Sequence, residues 1–137
     1  MKLVDKMKDE NLGLAILYNF TKGYGHVPMN VYDVVLPLLY HDGFRNHLFE
    51  GVEVEEALTK CVQEDTSFIQ TILDAIEEDK EMTSRALGIC LLNKYLSFEF
   101  EDNEMKGIYH ESSILDINEA INLGKFFSEK SYEDISV

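Results

Sequence analysis

About two-thirds of the way along the chain the hydrophobic period changes from that of a helix to that of a strand, and this change limits the fold more than any other feature. Thr83 or Ser84 can cap a helix. The run RALGICLL at 85–92 is apolar almost all the way round, as a helix buried on several sides would be. After Asn93, Lys94 and Tyr95 the pattern alternates. Leu96, Phe98 and Phe100 are separated by Ser97, Glu99 and Glu101, which predicts a half-buried strand. Asp102, Asn103 and Glu104 can turn the chain, and residues 105–110 can return as a second strand. A buried helix therefore feeds straight into a hairpin.

The flanking sequence reads as helices. Residues 1–10 mix Lys2, Lys6 and Lys8 with Asp5, Asp9 and Glu10 and predict a fraying end or a short amphipathic turn. Asn11 can cap a helix carrying Leu12, Ala15, Ile16, Tyr18 and Phe20, with Gly23 as its stop. Asn30, followed by Asp33, can open the apolar run 31–40. That run suits a buried strand or a buried helix; helix is the reading adopted, because Phe44 to Phe49 continues at helical spacing. Pro37 should kink or divide it, and Leu36, just before the proline, is biased away from helix. Beyond Gly51 a short helix should turn Val54, Ala57, Leu58, Cys61 and Val62 inward. Asp65 or Thr66 should cap another with a stripe of Phe68, Ile69, Ile72, Leu73 and Ile76, ending at the acidic Glu77, Glu78 and Asp79. Asp116 and Glu119 have the capping-box spacing for a last helix with Ile117, Ala120, Ile121, Gly124 and Phe127 on one face, Gly124 allowing close approach of a neighbour. The fold expected is mostly α, a single helical domain over 1–130 with a winged-helix-like helix plus two-stranded β-hairpin, and a flexible tail at 131–137.

Charge narrows the function classes. Against 12 basic residues stand 26 acidic ones, a formal charge of −14. Residues 1–50 carry 5 basic and 6 acidic side chains, 51–82 carry 2 and 10, and 83–137 carry 5 and 10. A duplex-binding surface needs a basic stripe to displace counterions, and none can be drawn. The hairpin sets Glu99, Glu101, Asp102 and Glu104 against Lys106 alone, so specific DNA binding is not expected. A solvated acidic face, or a docking surface for a basic partner, accounts for such a composition. With no apolar run of bilayer length and no leader pattern, the expected setting is soluble and cytoplasmic. Cys61 and Cys90 fall on apolar helix faces and read as small buried hydrophobes.

Catalytic and cofactor patterns are missing. His41, Asp42 and His47 do not have the spacing of a helical zinc motif. Gly23, Tyr24 and Gly25 lack the preceding strand and the following glycine and lysine of a phosphate loop, and no serine or cysteine occupies a nucleophile elbow. No enzyme activity, metal, cofactor or small-molecule substrate is expected.

Several short stretches resemble one family. NLGLAILYNFTKGY at 11–24 is similar to the opening of the middle components of bacterial three-component ABC-ATPase systems, Lamassu-type defence assemblies among them. Leu36, Pro37, Leu38 and Leu39, followed by His41 and then Arg45, match the family's next segment, and LGKFF at 123–127 its terminal helix. Leu12 stands where a proline is usual. The similarity covers residues 11–128. It implies a non-enzymatic adaptor between an SMC- or Rad50-like ABC ATPase and an effector, often a nuclease, in anti-phage or anti-plasmid defence. The partner-binding residues expected are Asn11, Tyr24, Leu36, Pro37, His41 and Arg45 on one side, and Glu77, Glu78, Glu99 and Glu101 in the acidic and hairpin regions. A winged-helix transcriptional regulator and an acidic nucleic-acid mimic are the alternatives.

Overall fold

The helix at the centre of the molecule is the first of those described. The computed structural model describes residues 10–130; the expectations for residues 1–9 and for the tail at 131–137 lie outside them. Helix α1 (Glu10–Tyr24) buries Leu14, Ile16, Leu17, Tyr18 and Phe20, and with them Asn19 and Thr21. A helix apolar on most of its circumference must be covered on several sides. Helix α1 packs against the last two helices and against the sheet.

Its C-terminus shows what the glycines do. Gly25, at φ +108°, ends the helix and donates its N–H to Thr21 O at 2.8 Å. Gly23, expected as the stop, is still helical and has another task. A Cβ there would strike the Ile121 carbonyl of the last helix, α6 (Asn118–Glu129), and a Cβ on Gly124 would strike Phe20 O of α1. Each glycine thus receives the other helix's backbone, as expected for Gly124. No side chain caps α6; Asp116 instead accepts from Lys22 Nζ at 3.0 Å, and that bond raises the lysine pKa.

After Gly25 the chain forms a strand that the sequence did not suggest, β1 (His26–Pro28). It pairs antiparallel with β3 (Glu104–Tyr109), which pairs with β2 (Leu96–Glu101), so the hairpin is part of a three-stranded sheet ordered β1-β3-β2. Pro28 is tolerated because β1 is a short edge strand. Val27, Gly107 and Phe98 lie in register across the sheet, and Tyr32 occupies the space a Cβ on Gly107 would fill. The Thr21 hydroxyl donates to Leu17 O, so it accepts from the buried Tyr32 O–H at 2.7 Å. Burial pushes the Tyr32 phenol well up.

The apolar run is helical, divided at an unexpected place. A 3-10 helix (Met29–Val34) gives way to α2 (Val35–Tyr40). Pro37 neither kinks nor splits it, because it falls in the first turn of α2, where its backbone nitrogen has no intrahelical partner to lose. No side chain caps the 3-10 helix, so Asn30 does not act as a cap. Helix α3 (Asp42–Phe49) is capped by His41, whose Nδ1 accepts from Phe44 N–H at 3.1 Å.

Helices α4 (Val54–Glu64) and α5 (Phe68–Leu92) follow. The two helices expected over 65–92 are one helix of 25 residues, about 37 Å long at 1.5 Å per residue. Three readings change as a result. Thr83 is buried within the helix and caps nothing. Glu77, Glu78 and Asp79 lie at its middle, away from the negative end of the dipole, and Asp79 is buried. Only one side of the RALGICLL run is core: Ala86, Leu87 and Cys90 are inside, while Leu91 and Leu92 are exposed, as are Ile69 and Leu73 of the stripe and Val62 of α4. Neither Asp65 nor Thr66 caps the helix: its N-cap is Ser67, with no side-chain cap bond, and Asp65 accepts from Ser67 N–H at 2.9 Å and from its hydroxyl at 2.8 Å in the turn before it. Cys61 and Cys90 are buried free thiols, the latter pushed up to about 12 by desolvation.

Candidate interaction surface

The expected partner residues do not form one face. Asn11 is exposed and Tyr24 half-buried, with its ring 5.8 Å from that of Phe20. They sit near opposite ends of α1, about 20 Å apart along its axis. Leu36 and Pro37 are buried. His41 is occupied as the α3 cap and meets Phe68 edge-on at 4.9 Å. The Arg45 guanidinium donates to Leu39 O and Tyr40 O, both at 3.4 Å, and to Asp42 Oδ1 at 2.6 Å. It closes the C-terminal carbonyls of α2, a use of the positive charge that the helix dipole favours.

The acidic residues do face outward. Glu77 and Glu78 are exposed at the middle of α5, and Glu99 is exposed on β2. Glu101 is half-buried, and its carboxylate accepts from His26 Nδ1 at 3.0 Å. Lys106, the hairpin's single cation, is paired with Asp102 at 3.2 Å, which raises its pKa.

What the sequence reading missed is apolar. One sheet face carries Leu96, Phe98 and Phe100 on β2, paired with Tyr109, Gly107 and Met105 on β3. Leu96 is 1% exposed and Phe98 is half-buried, but Phe100 is 68% exposed and its partner Met105 42%. The core-facing row continues past the body it packs on and ends in an uncovered aromatic–thioether pair. Glu99, Glu101 and Glu104 lie on the opposite face of the hairpin, and Asp102 is in its turn. Period-two alternation reports which face a side chain lies on, not where the body beneath the sheet stops. No sequence signal could have separated Phe100 from Phe98.

A second feature lies on the other side of α1. One face of α6 packs on α1 through Ala120, Leu123 and Gly124. Its opposite face, with Glu119, Asn122, Phe126 and Glu129 at helical spacing, forms one wall of an open groove of about 510 Å³. The other wall is the segment from Leu48 to Glu55 between α3 and α4. Among the described residues no group of three or more His, Cys, Asp or Glu is placed to hold a metal ion, and no helix is long and apolar enough to cross a membrane.

A mostly helical body, a three-stranded sheet and two outward-facing sites define a small α-rich domain whose distinguishing features are surfaces. The family model described as ABC-three component (ABC-3C) system Middle Component 3 matches residues 12–137, and the chain belongs to that family. No curated protein and no solved structure matches it. The chain is thus a middle component of a three-component ABC system, as its short motifs indicated.

Proposed function

We propose that this chain is a non-enzymatic cytoplasmic adaptor, joining an SMC- or Rad50-like ABC ATPase to an effector, a nuclease by preference, in a Lamassu-type bacterial defence complex directed at phage or plasmid DNA. Family membership supplies the setting. The observation that carries the adaptor role is the exposed Phe100–Met105 pair on a hairpin whose other face is acidic. Aromatic and Met side chains are typical anchors of a protein interface. The net negative charge of the chain favours a basic partner surface and repels nucleic acid.

Co-expression with the neighbouring gene products tests the reading, with the adaptor tagged. A complex containing both ATPase and effector is expected. Phe100→Ser combined with Met105→Ser should leave melting within about 0.5 kcal/mol of wild type, since neither side chain is core, while releasing at least one partner. An untagged chain that elutes alone from such a mixture would end the proposal. So would tight binding of the isolated protein to duplex DNA in a gel shift, the behaviour of a transcriptional regulator.

A further inference from the structure

We infer that the groove between α6 and the α3–α4 connection receives a Lys- or Arg-bearing segment of a partner subunit. This deepens the adaptor reading and rests on it. The groove is lined by the apolar Leu48, Val52 and Phe126 and by the carboxylates of Glu53, Glu55, Glu119 and Glu129. Lys125 is the one cation among its lining residues. Any positive end of α4 is offset by Glu53, Glu55 and Glu56 in and before its first turn. The side chain that suits this lining has an apolar stem and a cationic head.

The chain itself demonstrates that chemistry. Lys130 Nζ lies 5.3 Å from the centroid of the Phe126 ring, which forms part of the groove. An ammonium over an aromatic face is an attractive contact, stronger once water is excluded. Lys130 is therefore an internal stand-in for an incoming cation, and a partner's basic residue would compete with it for the ring. A second copy of this chain is an unsuitable occupant: at −14 each, two copies repel.

The probe is a fluorescein-labelled decapeptide of alternating arginine and leucine, titrated against the full chain by anisotropy, with the glutamate–leucine peptide as control. Phe126→Ala should weaken binding about tenfold, and Glu119→Gln with Glu129→Gln about threefold or more. Lys130→Ala should tighten it about twofold to threefold, because the competing cation is gone. Glu77→Gln with Glu78→Gln, remote on α5, should change it less than twofold. Phe126 is half-buried and packs on Phe127 at 5.5 Å. The exposed Glu129→Lys is therefore the variant that keeps the test meaningful if Phe126→Ala unfolds. Equal losses at the groove and on α5 would overturn the inference, since binding would then follow net charge alone; so would an unchanged affinity in Lys130→Ala, or dimerisation of the chain through this face. In the co-expression experiment, a wild-type complex that Glu129→Lys leaves intact removes the groove and spares the adaptor. A wild type that captures nothing removes the adaptor, while the peptide titration still reports on the groove.

Discussion

Three glycines in helices separate two effects that are usually confounded. Replacing a helical glycine with alanine gains roughly 1 kcal/mol of propensity when the new methyl has room. At Gly88 in α5 nothing lies within 4 Å of the added atom, so Gly88→Ala should raise stability by about 0.5–1 kcal/mol in a urea melt. At Gly23 and Gly124 the same methyl meets a backbone carbonyl of the facing helix, which cannot rotate aside as a side chain would. Overpacking costs of about 1–3 kcal/mol should then exceed the propensity gain. Gly23→Ala and Gly124→Ala are expected to destabilise, and a melt showing either as stabilising would mean that α1 and α6 do not approach this closely. The sequence showed the possibility at Gly124 but misread Gly23 as a helix end, because a glycine that stops a helix and one that admits a neighbour look alike until the neighbour is placed. Asp65 offers a further test. Its bonds from Ser67 hold the carboxyl below the usual 3.8. A group whose folded pKa is depressed contributes stability above its unfolded value and loses it as pH falls through the folded one. The stability difference between wild type and Asp65→Asn should therefore be constant above about pH 5 and shrink below 4. A difference that grows on acidification would assign the shift wrongly.

At the scale of elements, legibility followed how local the cause was. The hairpin was read correctly because its instructions lie within a few residues of each other. Asp102 and Asn103 adopt φ +54° and +66°, the left-handed pair that a two-residue turn needs to match strand twist. Asn103→Gly should keep stability within about 0.5 kcal/mol, whereas Asn103→Val should cost about 1–2 kcal/mol, since a β-branched residue tolerates that region poorly. Amide exchange across β2 and β3 would detect the loss even if the global melt did not move. Strand β1 went unseen for the opposite reason. Three residues make no periodic signal, and their pairing is with Lys106, Gly107 and Ile108, some eighty positions away. Helix α5 was cut in two because its central acids resemble a boundary; the buried Thr83 and Asp79, with Ala86 and Ile72 on either side, show one continuous packed face. In the candidate site the acidic residues were legible because charge is a property of composition. The apolar anchors were not, since exposure depends on where the body beneath them ends.

For the whole molecule the decisive quantity is charge, and its consequence is kinetic more than structural. A body at −14 with several of its described cations paired (Lys22 with Asp116, Arg45 with Asp42, Lys106 with Asp102) projects a field of one sign. Such a field acts on encounter: opposite charges accelerate association, and the acceleration fades as the screening length falls from about 10 Å at 0.1 M salt to about 3 Å at 1 M. Contacts made after docking, such as those of Phe100 and Met105, set the dissociation rate and respond little to salt. If the chain meets a basic ATPase or effector surface, its association rate in stopped flow should drop about tenfold or more between 0.05 and 0.5 M NaCl, with dissociation changed less than about threefold. Phe100→Ser should do the reverse, raising dissociation and leaving association nearly unchanged. A partner whose association is indifferent to salt would have to be held by apolar contact alone, and the acidic face of the hairpin would then have no part in recognising it.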